Sequence, residues 1–262
     1  MIPQTRESVD FSEVRNLPLV SVHTVANRLV KLPRVYMNRE RILNTAFGIA
    51  FDYAISQWNR QILKGGKTTL QRLNASLLEV FTANANRELL TYIVRNRGNS
   101  TEKLVTPEEY TKYKALGLKM LKAFQQTPAF GKPRPEHRLV IIGGEYGLTA
   151  RGDFIDRDKG IIFEVKSTTK TYTLPRARWQ VLMYLLAYPE VERGAIIYFE
   201  EDGDEILPRI EVIRRDELDE ASLLKIEQKV AQLARKSGRR LNPYQLRKWK
   251  ILEIPSLLEW FQ

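Results

Sequence analysis

Cysteine is absent from the 262 residues. That excludes disulfides, thiolate catalysis, cysteine-bound zinc and cysteine-ligated iron–sulfur clusters. Histidine is scarce, and the two present, His23 and His137, stand far apart and suggest no zinc pair. Long hydrophobic runs are also missing. The longest, VLMYLLAY at 181–188, is too short to span a bilayer, and nothing resembles a signal peptide. A soluble cytoplasmic protein with no membrane partner is the expectation. Acid is in deficit: 31 Asp and Glu face 42 Lys and Arg, a formal charge of +11. Such a surplus points to a polyanion, nucleic acid first, because phosphate contacts need lysine and arginine. The alternative is a basic but indifferent surface. A hydrophobic fraction of 43% supports a real core, which argues against wholesale disorder.

Apolar periodicity and breakers divide the chain in two. The first half reads as helices over about 21–31, 39–64, 69–97 and 107–126, stopped by Pro33 and by Gly65-Gly66. Residues 127–136 hold three prolines and a glycine and read as a linker or elbow. Strands are then expected over 138–142, 148–156 and 161–167, with turns at Gly143-Gly144 and Asp158-Lys159-Gly160. A helix over 175–188, strands over 194–200 and 206–213, and a helix over 217–235 complete the pattern. This order predicts an α/β fold, a sheet covered by helices. One unit spans 1–262: mainly helical over 1–126, an αβ core over 137–214, and a basic C-terminal tail over 228–262.

The run ARGDFIDRDKGIIFEVKS carries the chemistry. Folding it back at Asp158-Lys159-Gly160 sets Asp153 opposite Glu164, to within one position. Glu164 and Lys166, two apart, project from one face of their strand. Two carboxylates beside an ammonium group suit a hard divalent cation. The competing reading is a solvated hairpin with a cross-strand Asp–Lys pair. Against it stand the neighbours Ile161, Ile162, Phe163 and Val165, since isolated charges in a buried strand are costly unless paired or metal-bound. Asp156 is an alternative to Asp153, although the register favours Asp153. On the following helix Arg176, Gln180 and Tyr184 share a face, where they either hold a nucleic-acid backbone or are ordinary boundary residues. Asp52, amid Phe47, Ile49, Ala50, Phe51, Tyr53 and Ile55, is either a further metal ligand or exposed. Gly48, one turn earlier, lets its helix approach a neighbour closely.

Together these elements resemble the PD-(D/E)xK nuclease superfamily and, within it, the RecB-type branch, including the CRISPR-associated nuclease of spacer acquisition. Asp153 stands where the family places its first metal-binding aspartate. Glu164, the Val165 carbonyl and Lys166 match the second ligand, a carbonyl ligand and the catalytic lysine. Gln180 and Tyr184 reproduce the QxxxY motif, and Gly48-x-x-x-Asp52 aligns with a glycine-x-x-x-histidine whose histidine binds metal. Two departures stand out: Asp52 replaces that histidine, and the cysteines of cluster-bearing members are missing. Leu32 precedes Pro33-Arg34, and Leu241, Tyr244, Leu246 and Trp249 offer apolar packing instead.

The resemblance implies a restriction-endonuclease-like core and a deoxyribonuclease dependent on Mg²⁺ or Mn²⁺, with no iron–sulfur cluster. Asp153, Glu164, Lys166, Gln180 and Tyr184 would be catalytic; Asp52, Asp153, Glu164 and Val165 would bind metal. DNA is the expected partner, as single strands or ends, with Arg176, Arg178, Arg239 and Arg240 contacting its backbone; the tail arginines equally suit a solvated segment. The alternatives are an inactive, nucleic-acid-binding subunit on the same fold, or an interaction protein whose hairpin acids are structural. Oligomeric state and exonuclease or endonuclease mode stay open.

Overall fold

The computed structural model describes residues 14, 16–30, 37–96, 104–128, 132–133, 135–167, 173–237 and 249–254. Strand β1 (Leu19–Ser21) leads into α1 (Val22–Leu29), whose first turn is capped by Ser21 Oγ accepting from the Thr24 N–H at 3.2 Å. Helix α2 (Arg39–Leu63) starts at Asn38, which accepts from the Arg41 N–H, and stops at Gly65, where φ is 71°. Helices α3 (Leu70–Asn96) and α4 (Pro107–Phe124) follow. A capping box between Thr106 and Glu109 opens α4. Glu109 also accepts from Arg39 Nε and Nη2, each at 2.7 Å, tying the starts of α2 and α4 together. That pairing holds the Glu109 carboxyl below the ordinary glutamate range.

The second half runs β2 (Lys132–Pro133), β3 (Arg138–Ile142), β4 (Tyr146–Ala150), β5 (Phe154–Asp156), β6 (Ile161–Val165), α5 (Leu174–Ala187), β7 (Arg193–Asp202) and β8 (Glu205–Arg214). A 3₁₀ turn at Arg215–Glu217, then α6 (Glu220–Ser237) and β9 (Lys250–Ile254), complete it. The principal elements lie where periodicity places them, and the fold is α/β. Strands β1, β2 and β9 were not expected. Strand β2 sits inside the proline-rich 127–136 segment, and β9 inside the basic tail. The latter pairs in parallel with β3 and buries Leu252 and Ile254, an arrangement only long-range packing reveals.

Two hydrogen-bonded sheets form where one was expected, ordered β1-β4-β3-β9 and β2-β5-β6-β7-β8. The division comes from 151–153, which interrupt the single strand expected over 148–156. A Cβ on Gly152 would stand 2.8 Å from Ile162 Cδ1, so any larger residue there would force Ile162 to shift. Asp153 then turns its own carboxylate into the ladder, with Oδ2 accepting from the Val165 N–H at 2.8 Å.

Alternation along the five-stranded sheet assigns its faces. Phe154, Phe163, Val165, Ala195, Ile197 and Phe199 pack on α2, α3 and α4, with Phe199 edge-on to Phe51 at 5.5 Å. Ile155, Ile162 and Ile196 face α5, which joins the parallel pair β6 and β7 as a βαβ crossover. Helix α5 lies close against β7 because Gly194 sits beneath Val181; a Cβ at Gly194 would overlap Val181 Cγ1. Gly194→Ala is therefore expected to destabilise the protein by about 1–3 kcal/mol. Urea unfolding would show a lower midpoint at unchanged m-value. Among the described residues no helix is long and apolar enough to cross a membrane.

Candidate active site

The hairpin β5–β6 pairs Phe154 with Phe163 and Ile155 with Ile162. The Asp153 N–H donates to the Phe163 carbonyl at 3.1 Å, so Asp153 lies level with Glu164, as the turn at Gly160 (φ 61°) requires. Asp156 belongs to the turn instead. It accepts from the Lys159 N–H at 3.1 Å and pairs with Lys159 Nζ at 3.0 Å.

Helix α5 lies across β6 on the face that carries Glu164 and Lys166. Four residues of helix rise about 6 Å and two residues of strand about 6.6 Å, so Gln180 and Tyr184 can meet Lys166 and Glu164 one to one. Lys166 Nζ donates to Gln180 Oε1 at 2.8 Å, and the Tyr184 hydroxyl donates to Glu164 Oε2 at 3.0 Å. Lys166 Nζ also pairs directly with Glu164 Oε1. All four side chains thus form one continuous network. Glu164, Gln180 and Tyr184 are buried, at 6%, 3% and 4% relative exposure, so Gln180 and Tyr184 are not boundary residues.

Asp153 is half-buried beside this network. Burial, then the Glu164 charge, then the Asp52 charge push its carboxyl well above the ordinary aspartate range, against the Val165 N–H bond and Lys166. Burial, then the Glu164 and Asp153 charges, push the Tyr184 hydroxyl up, keeping it a proton donor. Asp52, half-buried on α2, joins Ile55, Ser56, Arg151, Gly152, Asp153 and Phe154 around a cavity of about 140 Å³. Helix α2 reaches the site through Gly48, where a Cβ would stand 2.8 Å from Ser167 Oγ, the close approach its glycine suggested. Asp52 therefore shares a pocket with Asp153 and contributes to its electrostatics.

The sequence pattern of the PD-(D/E)XK nuclease superfamily matches residues 22–247, which include all of these side chains. The chain belongs to the PD-(D/E)XK nuclease superfamily. It is accordingly a nuclease-type protein with the superfamily's restriction-endonuclease-like α/β fold and a nucleic-acid substrate. No curated protein matches the chain. A solved structure described as "Crystal structure of SSO0001" is similar over 56% of this chain and 70% of its own, at 22% identity and a TM-score of 0.33. A likeness that slight carries no argument.

Divalent metals are typical of PD-(D/E)XK nucleases, and the donors here suit one. They are all oxygen, as hard cations prefer, and the raised Asp153 carboxyl marks negative charge that a cation would relieve. No group of three or more His, Cys, Asp or Glu able to hold a metal is found among the described residues. Main-chain oxygen and water would have to complete any shell, which is how Mg²⁺ is ordinarily held.

The arginines separate. Arg176, one turn before Gln180, donates to Asn27 Oδ1 of α1 at 3.2 Å, at the margin of the site. Arg178 does not face it. Two residues further round the helix, it pairs with Glu211 and Glu217 on the surface. Arg239 and Arg240 lie outside the described residues, as do Leu32, Pro33, Arg34, Leu241, Tyr244 and Leu246. Trp249 is described, and it stacks on His137.

Sequence reasoning passed over two residues near the acids. His23, in the first turn of α1, lies near enough to Arg176, Lys166 and Glu164 to respond to them. Burial, Arg176 and Lys166 lower its pKa against the pull of Glu164. A search for paired histidines could not find it, because its neighbours come from β6 and α5. Arg151 was read only as a strand residue, although it lines the cavity that Asp52 and Asp153 share.

Proposed function

We propose that this PD-(D/E)XK nuclease hydrolyses DNA phosphodiester bonds with Mg²⁺ or Mn²⁺, on single strands or ends, as a RecB-type member. The reading rests above all on the buried network of Glu164, Lys166, Gln180 and Tyr184 beside Asp153. Asp153, Glu164 and the Val165 carbonyl would hold the ion. Asp52 would complete the shell or hold a second ion. The chemistry supplied with a bound cation is Lewis acidity toward the scissile phosphate and the attacking water.

The side chains divide the remaining work. Asp153 Oδ2 is fixed by the Val165 N–H, which leaves Oδ1 to turn toward the pocket. Glu164 divides its oxygens between Lys166 and Tyr184 and keeps further lone pairs for the ion. Lys166 has three N–H donors; Glu164 and Gln180 take two, and the third would orient the attacking water and stabilise charge on the phosphate in the transition state. Gln180 and Tyr184 act through these groups, positioning Lys166 and Glu164. By the resemblance, products carry 5′-phosphates.

The experiment is incubation with circular and linear, single- and double-stranded DNA and with RNA, each with Mg²⁺, Mn²⁺ or EDTA. Cleavage of DNA with metal and none with EDTA is expected. Attack on linear but not circular strands would identify an exonuclease. Binding to DNA without cleavage under every metal would instead support an inactive nucleic-acid-binding subunit.

A further inference from the structure

Several arginines of this protein are already paired with carboxylates. Arg138 and Arg157 share Glu136 and Glu190, Arg178 holds Glu211 and Glu217, and Arg209 holds Glu200. Arg151 differs. It is exposed, two residues before Asp153, and its guanidinium bonds a neutral acceptor: Nη1 donates to His137 Nε2 at 2.8 Å. Burial, followed by the Arg151 charge, keeps the His137 pKa below its usual value and favours the uncharged ring.

The acceptor is itself held in place. The His137 ring stacks on Trp249 with centroids 4.8 Å apart and planes 7° from parallel. Trp249 in turn packs on the cluster of Leu19, Leu139 and Ile141. The Lys250 N–H donates to the His137 carbonyl at 3.0 Å where β9 joins β3, so both stacked residues are anchored to one sheet. A flexible arginine is thereby given one orientation without losing net charge. The residue lines the pocket that contains Asp52 and Asp153. A substrate phosphate approaching those acids meets like charge, and an oriented guanidinium at the rim, with no carboxylate partner among the described residues, offsets it.

We propose that Arg151, oriented by the His137–Trp249 stack, binds a backbone phosphate of the substrate strand next to the bond that is cut. It is a substrate-binding residue, and His137 and Trp249 are its positioning residues. The proposal rests on the nuclease reading above for the identity of the strand. The ligand is a DNA phosphodiester flanking the acid pair. Recognition is through charge and the planar fork of the guanidinium, so it is indifferent to base sequence.

The test measures binding of a fluorescein-labelled oligothymidylate in EDTA, where no cutting occurs, by anisotropy across a salt series. Arg151→Gln is expected to weaken binding about tenfold and to reduce the slope of log K against log salt by about 0.7, one phosphate contact on a single strand. Arg151→Lys should keep the slope but lose affinity, because charge stays while the fork goes. His137→Phe preserves the stack and removes the acceptor, so it should lower affinity a few-fold with the slope retained. Arg209→Gln, whose charge is committed to Glu200, is the control and should match the parent. An Arg151→Gln protein with the slope and affinity of the parent overturns the proposal. That failure is distinct from failure of the nuclease reading: a parent that never cuts, with Arg151→Gln still flattening the salt slope, would sink only the latter.

Discussion

Lys166→Ala is expected to lower the rate of metal-dependent DNA cleavage by about 10²–10³-fold, the usual effect of removing one preorganised charge from a transition state. DNA affinity should change little, because Lys166 is packed against Glu164 and Gln180 and is only one cation among 42 Lys and Arg. The loss should therefore fall on kcat and leave KM nearly unaltered. Folding is affected as well. Glu164 keeps the Tyr184 hydroxyl but loses its ion-pair partner, and breaking a buried ion pair by removing one member costs about 3–5 kcal/mol. Single-turnover cleavage and thermal unfolding on the same preparation separate the two effects. A variant that cuts as fast as the parent would remove Lys166 from the chemistry.

Asp153→Asn should abolish cleavage and, without metal, make the protein more stable. Asp153 carries its charge beside Glu164 and Asp52 in a half-buried site, and those neighbours together with burial raise its carboxyl well above the normal range. The sign follows directly. A folded-state pKa above the unfolded one means that the native protein binds the proton more tightly. Stability is then fullest below the unfolded aspartate value and is lost as pH rises through the folded value. At any pH above that folded value the metal-free parent is on the unfavourable side of the change. Asparagine can still accept the Val165 N–H through its carbonyl oxygen, so the variant retains the bond and sheds the repulsion, a gain of about 1–2 kcal/mol of the kind common at functional sites. Melting temperatures across a pH series should show the parent declining relative to Asp153→Asn as pH rises. Added Mn²⁺ should close the gap by favouring the ionised parent. A parent at least as stable as Asp153→Asn at every pH without metal would mean that the acids do not repel as described.

Local rules made the centre of this site legible. Alternation in IIFEVKS and the turn at Gly160 set Asp153 against Glu164 to within one position, whereas the spacing of Gln180 and Tyr184 left them open between site and boundary, and only their contacts with Lys166 and Glu164 decide it. The break at 151–153 was not legible. The apolar pattern runs through Gly152 without a gap, and what interrupts the strand is Ile162 lying across the glycine and a side-chain oxygen accepting from Val165. Strand β9 was missed for a related reason: its neighbours are basic, and its partner β3 lies more than a hundred residues earlier. The partners of Arg178 were equally out of reach of a reading of its own helix, because Glu211 and Glu217 come from β8 and the 3₁₀ turn. The roles of His23 and Arg151 depend wholly on long-range neighbours, and no reading of a single segment could have raised them.

Calorimetric titration of Mn²⁺ into the metal-free protein and into Asp153→Asn probes the shared cation site without any need for turnover. Stoichiometric binding by the parent that disappears in the asparagine variant is the expected outcome. Equal heats from both proteins, or none from the parent, would contradict the proposal that Asp153 and Glu164 hold one ion between them.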